Sequence, residues 1–322
     1  MKNSVEYYSV GALLYCPANR TTIAKSIIDE EFGQKFSLAL CLEDTIKDDK
    51  VSEAETLMIE SLHTIYEEHQ KKDFYLPKIF IRVRWPEQIK RLTAQMGNAI
   101  EIIVGYIAPK FSTENADEYI TNLLETNEAC GKKLYIMPIL ENPAMIHLRT
   151  RYEFLYEIKD KLDKIEELVL NVRVGGNDLC HMFGLRRHIN ENIHDMDPIA
   201  NIFSDIMTVF GMNYVVSGPV WEYYNGEGWD KGFQNEIARD LLCGFVGKTV
   251  IHPNQIKVLN ETLQIPTSDY EDAKSILNWD QESNRLVSGS VSKSRMNEYK
   301  THHNWALKTL LLAEYYGTKY KY

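Results

Sequence analysis

The sequence predicts an α/β protein, a (β/α)8 TIM barrel with a C-terminal helical extension, and three observations support this. Eight short apolar runs of strand length recur along the chain, and segments with helical periodicity lie between them. Polar and charged residues stand where the runs end, which is where parallel barrels place their ligands. The chain has 322 residues. A barrel of this kind takes about 250 residues, so one barrel and an appendage account for the length.

The predicted strands and helices alternate along the chain. The strands lie at residues 11–16, 36–42, 78–83, 100–107, 134–140, 168–174, 213–216 and 249–251, and the helices at 21–32, 52–69, 86–96, 115–130, 150–164, 198–210 and 230–243. Ser52 with Glu55, and Asn115 with Glu118, have the spacing of capping boxes. An open doubly wound sheet would usually carry a glycine-rich phosphate loop after its first strand. That strand here runs into Cys-Pro-Ala-Asn-Arg, without glycine, so the barrel is favoured.

The pattern changes after residue 255. A polar connection at 260–267 leads to predicted helices at 270–282 and 296–316, with a serine-rich loop at 284–294 between them. Two helices alone form no core, so we expect them to pack on the barrel or on a neighbouring subunit. We therefore divide the chain into a barrel domain, residues 1–258, and a helical extension, residues 259–322. Such a projecting tail favours a homo-oligomer, a trimer or larger.

Composition argues against several classes of partner. The net charge is −10, whereas a nucleic-acid binder needs a basic face. The 5 cysteines are scattered and show no C-x-x-C spacing, which fits free thiols in a reducing cytosol better than disulfides or a zinc site. The N-terminus lacks the apolar stretch of a signal peptide, and no run approaches the length of a membrane span. We expect a cytoplasmic protein without nucleic-acid or membrane partners.

Two carboxylates stand at the ends of neighbouring predicted strands. The sixth run ends at Gly175 and Gly176 and is followed by Asn177 and Asp178, while Glu141 ends the fifth run. Carboxylates that converge from adjacent strand ends, with room for water and a substrate oxygen, form a candidate Mg²⁺ site. The alternative is that each carboxylate only caps the helix after its strand.

Two arginines stand near the end of the third predicted strand. Arg82 and Arg84 are two residues apart, so they share a face of a regular strand. An inward face would suit a substrate with carboxylates or phosphates, whereas an outward face would make them rim charges. Trp85 and Pro86 mark the strand end and favour the inward orientation. His252 is a candidate base, although a histidine before proline is as often a structural hydrogen-bonding residue.

Seven segments of the chain match a known set of motifs. They are L-Y-C-P-A-N-R (14–20), L-C-L-E-D-T-I (40–46), I-R-V-R (81–84), A-P-K (108–110), L-E-N-P (140–143), G-G-N-D-L (175–179) and G-F-V-G-K-T-V-I-H-P-N-Q-I (244–256). The chain thereby resembles the citrate lyase β-subunit-like branch of the HpcH/HpaI aldolase superfamily, whose members are TIM-barrel carbon–carbon bond lyases. The last segment is the most specific.

The resemblance implies a role for each matching residue. Glu141 and Asp178 match the Mg²⁺ ligands, and Arg82 matches the arginine that holds a substrate carboxylate or carbonyl. Glu43 and Asp44 match an acidic pair beneath the water network of the metal. Further substrate contacts are expected from Arg20, which would anchor the substrate or a CoA phosphate, and from Arg84, Gly175, Gly176 and Asn177.

The sequence also departs from the family pattern. Cys41 replaces the first acid of the family's D-L-E-D, and Arg84 replaces an asparagine, which implies a more anionic substrate. The C-terminal family signature, G-K-M-x-D-x-P-H, carries an aspartate that reaches into a site, commonly that of a neighbouring subunit. The corresponding segment, 294–306, has no aspartate, and Asn297 or Glu298 stands nearby.

The sequence thus predicts a Mg²⁺-dependent carbon–carbon bond lyase of the aldolase or Claisen type. Its expected substrate is an anionic oxo- or hydroxy-acid or a CoA thioester, and its intermediate an enolate that the metal and Arg82 would stabilise. One alternative is another Mg²⁺-dependent enolate reaction, such as phosphoenolpyruvate chemistry. The other is a non-catalytic barrel that binds an anionic metabolite or a protein partner.

Overall fold

The computed structural model describes residues 2–279 and 285–320, and its main sheet is a barrel of eight parallel strands. The strands are β1 (Ala12–Pro17), β2 (Phe36–Cys41), β3 (Lys78–Arg82), β4 (Ile103–Ala108), β5 (Tyr135–Leu140), β6 (Val172–Val174), β7 (Val216–Ser217) and β8 (Lys248–Val250). From β1 to β7 each strand pairs with its neighbour along the chain, and β8 pairs with β1. A parallel bridge between Gly218 and Lys248 joins the two remaining edges. The predicted (β/α)8 fold is confirmed.

Helices surround the barrel, one before the first strand and the others after the strands. They are α1 (Val5–Tyr8), α2 (Ile23–Ile28), α3 (Val51–His69), α4 (Glu87–Met96), α5 (Ala116–Cys130), α6 (Arg151–Asp163), α7 (Gly176–Met182), α8 (Asp197–Phe210), α9 (Trp229–Leu242) and α10 (Asn254–Leu263). Their buried apolar residues join those on the outer side of the strands in one large core. No helix in the described ranges is both long and apolar enough to cross a membrane.

A second, smaller apolar cluster fills the inside of the barrel. Its members are Val10, Leu13, Ala39, Phe80, Ile107, Met137, Ile139 and Leu170. Side chains two residues apart on a strand share a face, so Tyr15, Cys41, Arg82 and Glu141 come next on the inner face after Leu13, Ala39, Phe80 and Ile139. The inner surface therefore changes from apolar to polar towards the carboxyl ends of the strands.

Several predicted boundaries were wrong by a few residues. The fourth strand begins at Ile103, because Gly97–Ile102 forms a 3₁₀ turn, and the sixth is short because Glu166–Leu168 does the same. A buried turn can be as apolar as a strand. The length of each apolar run therefore overestimated the length of the strand. The capping box at Ser52 was also wrong, since a 3₁₀ turn, Asp48–Lys50, leads directly into α3 and Lys50 is its N-cap.

The C-terminal extension differs most from its prediction. It contains α11 (Thr267–Leu277) and α12 (Tyr299–Tyr316), a short parallel pair of β9 (Ile265–Pro266) with β12 (Thr318–Lys319), and an antiparallel pair of β10 (Val287–Gly289) with β11 (Met296–Glu298). The expected loop at 284–294 thus contains a strand, while residue 284 and residues 280–282 of the expected helix lie outside the described ranges. The predicted domain boundary between residues 258 and 259 falls inside α10, which the sequence analysis missed.

Helix α12 packs on the barrel of its own chain. The Tyr316 hydroxyl donates to the carbonyl of Tyr8 at 3.2 Å, and Lys308 Nζ donates to the carbonyl of Gly244 at 3.0 Å. Leu311 and Leu312 belong to the main core. The extension is therefore anchored on its own barrel, and its expected contact with a neighbouring subunit stays a prediction. All five cysteines are free thiols.

Candidate active site

A cavity of about 300 Å³ opens at the carboxyl ends of the barrel strands. It is lined by Tyr15, Asp44, Arg82, Ile139, Glu141, Arg173, Val174, Gly175, Gly176, Asn177, Asp178, Val220, Thr249 and Ile251. Seven of these are predicted site residues: Asp44, Arg82, Glu141, Gly175, Gly176, Asn177 and Asp178. A larger groove of about 900 Å³ lies on the outside between α9, α10 and α12, away from the strand ends.

Arg82 is a cation in the cavity wall that contacts several carboxylates. It ends β3 and is buried, and its Nη2 lies 2.8 Å from Glu43 Oε2, 2.9 Å from Asp44 Oδ2 and 3.7 Å from Glu141 Oε1. The guanidinium also lies over the ring of Tyr15, 5.6 Å from its centroid. Burial alone would lower the pKa of Arg82, but Tyr15 and the carboxylates raise it well above its ordinary value. The guanidinium is therefore a fixed positive charge.

Lys110 contacts all three of these carboxylates. Its Nζ lies 2.6 Å from Glu43 Oε1 and 3.5 Å from Asp44 Oδ1, while its backbone N–H donates to Glu141 Oε1 at 2.9 Å. The residue takes φ +49, a left-handed conformation that is uncommon outside glycine. Backbone and side chain of Lys110 thus reach different carboxylates. Lys110 was predicted to follow the end of a strand, but no role was predicted for it.

Glu141 is a buried carboxylate that faces another carboxylate. It is 5% exposed, and burial raises its pKa to about 8, with Arg82 opposing and the charge of Asp178 adding to the shift. It caps no helix, because the Asn142 side chain accepts from the amide of Ala144 and caps the 3₁₀ turn that follows. A buried carboxylate whose nearest guanidinium nitrogen is 3.7 Å away and which faces a second carboxylate favours a bound cation.

The two glycines let helix α7 begin directly above Glu141. A Cβ on Gly175 would lie 2.2 Å from Glu141 Oε2, and a Cβ on Gly176 would lie 2.6 Å from Pro219 Cβ. Gly175 is the N-cap of α7, and Asp178 lies in its first turn. Asp178 is therefore not the N-cap residue that the alternative reading required. The close approach of the backbone brings Asp178 within electrostatic reach of Glu141.

The donor set at this end of the cavity fits Mg²⁺. Carboxylate oxygens are the ligands that Mg²⁺ prefers, and proteins often bind it through one or two carboxylates, with waters or substrate completing the octahedron. Four carboxylates, of Glu43, Asp44, Glu141 and Asp178, face two cations, Arg82 and Lys110, so the group carries excess negative charge. Over the described ranges no set of three or more His, Cys, Asp or Glu residues has metal-binding geometry. Glu141 and Asp178 would therefore need waters or substrate to complete the coordination of the ion.

Three predicted site residues do not line the cavity, namely Arg20, Glu43 and Arg84. Glu43 is buried behind Arg82 and supports it. The Arg84 guanidinium donates to the carbonyls of Leu42 at 3.1 Å, Glu43 at 3.0 Å and Ile46 at 2.5 Å. Strand β3 ends at Arg82, so the two-residue alternation does not extend to Arg84, which instead fixes the loop after β2. Its expected contact with substrate stays a prediction.

Two further candidates lie outside the cavity lining. Arg20 is exposed, donates from Nε to Thr22 Oγ1 at 3.1 Å and stacks over the Phe32 ring at 5.6 Å. The ring of His252 stacks on Tyr224 with centroids 4.5 Å apart, and its Nδ1 accepts from the backbone of Asn254. These contacts favour the structural interpretation of His252.

The structure adds three residues that the sequence analysis did not single out. Tyr15, Arg173 and Thr249 line the cavity, and Arg173 Nη2 donates to Thr249 Oγ1 at 2.8 Å. The available signal was a charged residue inside an otherwise apolar strand, V-R-V. By contrast, Asn297 of the divergent C-terminal segment is buried in β11 beside Ser288, and residues 294–306 do not line the cavity.

A (β/α)8 barrel with an arginine and paired carboxylates at its strand ends has the architecture of an enzyme. The family model for C–C bond lyases of the TIM-barrel fold matches residues 4–318, nearly the whole chain. The chain belongs to this family and is a carbon–carbon lyase. No curated protein sequence gives a significant match.

Solved structures of similar fold include citrate lyase proteins. One is protein CitE from Mycobacterium tuberculosis with magnesium, acetoacetate and coenzyme A, at TM-score 0.61 and 16% identity over 96% of this chain and 99% of that one. Another is a citrate lyase from Burkholderia xenovorans LB400, at TM-score 0.71 and 14% identity over 97% and 94%. A third is the M. tuberculosis citrate lyase beta subunit with oxaloacetate and magnesium, at TM-score 0.51 and 16% identity over 80% and 98%. At these identities the comparison shows that the folds are alike and no more.

Proposed function

We propose that this lyase requires Mg²⁺ and cleaves or forms a carbon–carbon bond in a small anionic oxo- or hydroxy-acid through an enolate. The observation that carries the proposal is the pairing of Glu141 and Asp178 in one cavity with Arg82. The two carboxylates would hold the ion, since they provide hard oxygen ligands and lack cations sufficient to neutralise them. When bound, Mg²⁺ supplies a Lewis acid for the negative charge that develops on a substrate oxygen.

Arg82 would stabilise the same developing charge from the protein side. Its Nη2 is held by Glu43 and Asp44, which fixes the guanidinium before substrate enters. Its Nε is buried and has no hydrogen-bond partner among the described residues. A fixed donor in a site that excludes water is worth more to an anionic transition state than a mobile one, because it needs no reorganisation during the reaction.

The size of the cavity supports a small acid. A volume of about 300 Å³ is at the lower end of the range for ligand pockets, about 300–1,000 Å³. The M. tuberculosis proteins of the same fold hold acetoacetate with coenzyme A, and oxaloacetate, which are ligands of the proposed class. If this chain uses a thioester, only the acyl group would occupy the cavity. Arg20, exposed after β1, would then contact the part that projects out.

Calorimetry with Mg²⁺ on the wild type, Asp178→Ala and Asp160→Ala tests the proposal. Asp160 is an exposed aspartate of α6 and serves as the control. We expect the wild type and the control to bind one Mg²⁺ and Asp178→Ala to lose most of the affinity. No binding by the wild type, or equal binding by all three proteins, would refute the proposal.

Product analysis with a panel of acids tests the reaction class. Oxo- and hydroxy-acids, both as free acids and as their CoA thioesters, would be incubated with the Mg²⁺-loaded protein, and release of pyruvate, oxaloacetate, glyoxylate or acetyl-CoA measured. Release of one of these, absent in Asp178→Ala, is expected. Release of inorganic phosphate from phosphoenolpyruvate would instead identify the rival enolate chemistry, and binding without turnover the non-catalytic alternative.

A further inference from the structure

Arg173 differs from the other buried cations of the protein. The buried lysines and arginines are Lys2, Arg82, Arg151, Arg173, Arg187 and Lys248. All except Arg173 form an ion pair with a carboxylate; their partners include Glu166, Glu43, Asp205, Glu236 and Asp240. Within residues 2–279 and 285–320, no carboxylate lies within ion-pair distance of Arg173, although the residue is only 2% exposed.

The groups around Arg173 are neutral. Its Nη2 donates to Thr249 Oγ1 at 2.8 Å, and its Nη1 donates to Asn171 Oδ1 at 3.5 Å. Burial lowers the pKa of Arg173, and the nearby Tyr15 opposes this shift. An arginine stays protonated in proteins, so the charge persists. A buried charge is costly unless an opposite charge repays its lost hydration, and the described residues supply none.

The position of Arg173 shows where the missing anion would come from. The side chain extends from β6 to Thr249 on β8, and the cavity lined by these two residues is also lined by Tyr15 of β1. Glu141 and Asp178 line the same cavity. One part of it therefore presents two carboxylates, and another presents a guanidinium with two hydroxyls.

We infer that Arg173, with the hydroxyls of Tyr15 and Thr249, is a subsite for a second carboxylate of the substrate. The inference rests on the proposed function and narrows it to short oxo- or hydroxy-acids with two carboxylates. One end of such a diacid lies at Glu141, Asp178 and Arg82, where the bond is cleaved or formed. The other carboxylate pairs with Arg173, whose planar guanidinium suits it. The small cavity excludes long diacids.

Ligand binding to matched acids tests the subsite. Mg²⁺-loaded wild type and Arg173→Met would be titrated with malate and lactate, and with oxaloacetate and pyruvate; each pair differs mainly by one carboxylate. We expect the wild type to bind each diacid at least about 10-fold more tightly than its monoacid partner. Arg173→Met should lose this preference and keep its affinity for Mg²⁺ and for the monoacids. A wild type without the preference, or a variant that retains it, would overturn the inference.

Two further measurements keep the test decisive. If Arg173→Met does not fold, as judged by circular dichroism, Arg173→Gln and Arg173→Lys replace it; only the lysine variant should retain part of the diacid preference. The same titrations without Mg²⁺ separate the two claims. A failure of the wild type to bind Mg²⁺ counts against the proposed function, while a diacid preference that depends on Arg173 without the metal still supports the subsite. If the wild type shows no diacid preference either with or without Mg²⁺, the subsite is refuted.

Discussion

Two ionic clusters lie in this barrel, and they differ in charge balance. The strand-end cluster comprises Arg82, Lys110, Glu43, Asp44, Glu141 and Asp178, with four carboxylates for two cations. The β8 cluster comprises Arg187, Lys248, Glu236 and Asp240, with His194 hydrogen-bonded to Asp240 at 2.7 Å. It has two carboxylates for two cations, and all of its members are buried. The β8 cluster is balanced in charge, whereas the strand-end cluster opens into a cavity and has more carboxylates than cations.

The β8 cluster holds helix α9 against the barrel. Lys248 Nζ lies 2.9 Å from Glu236 Oε1 and 2.7 Å from Asp240 Oδ2, and Arg187 Nε lies 2.8 Å from Glu236 Oε2. Lys248 belongs to G-F-V-G-K-T-V-I-H-P-N-Q-I, the most specific segment of the family resemblance. The segment that best identifies the family therefore includes a lysine with a packing role, and a strong motif is not by itself evidence of chemistry.

The largest expected effect is on the β8 cluster. Lys248→Met would leave Glu236 and Asp240 short of a counter-charge inside the protein, and removal of one partner from a buried ion pair costs about 3–5 kcal/mol. Urea unfolding would measure the loss. The control is Lys257→Met, because Lys257 is exposed and pairs loosely with Glu261 at 3.8 Å; it should change stability by less than about 0.5 kcal/mol. Equal effects of both variants would show that the β8 cluster does not stabilise the fold.

An intermediate effect is expected at the glycine turn of the strand-end cluster. The added Cβ of Gly175→Ala would collide with the Glu141 carboxylate, and overpacking of this kind costs about 1–3 kcal/mol. Mg²⁺ affinity, measured by calorimetry, should fall as well because Glu141 must move. Gly289→Ala is the control, since a Cβ there meets nothing within 4 Å. A Gly175→Ala protein with unchanged stability and Mg²⁺ affinity would contradict the close approach.

The smallest effect is expected at Asp178, and its sign is opposite to that of the same substitution in the β8 cluster. Without Mg²⁺, Asp178→Asn removes a charge that raises the pKa of buried Glu141, so it should raise the free energy of unfolding by about 0.5–1 kcal/mol. The same substitution at Asp240 removes a partner of buried Lys248 and should lower it by about 3–5 kcal/mol. Urea unfolding of both variants, without metal, gives the comparison. Destabilisation by Asp178→Asn would mean that the strand-end cluster is already balanced.

The sequence predicted those site residues that stand at the ends of apolar runs. Arg82, Glu141 and Asp178 come where apolar runs end, and the carboxyl ends of parallel strands meet at one end of a barrel. The eight runs themselves predicted the fold, which the structure confirms. Arg84 shows the limit of this reasoning, because a two-residue spacing implies a shared face only while the strand continues, and β3 ends at Arg82.

Other features depend on contacts that a single sequence does not display. Arg173 lies inside an apolar run of a strand of three residues, too short for alternation to indicate which side chain faces the barrel interior. Lys248 and Asp240 are close in sequence, but the burial of their charges depends on how α9 packs. The start of α7 was missed because the two glycines, which favour a turn, here allow a helix to begin against Glu141.

The most direct test of the account is the dependence of thermal stability on Mg²⁺ concentration in the wild type and in Glu141→Gln. Burial, with the charge of Asp178, raises the pKa of Glu141 to about 8, so a neutral glutamine is a close substitute in the metal-free protein and the variant should fold. A ligand at 100 times its Kd stabilises the folded state by about 2.7 kcal/mol. We predict that Mg²⁺ raises the Tm of the wild type progressively and leaves that of Glu141→Gln unchanged. A wild type whose Tm does not respond, or a variant that responds equally, would contradict the claim that the strand-end cluster is a metal site.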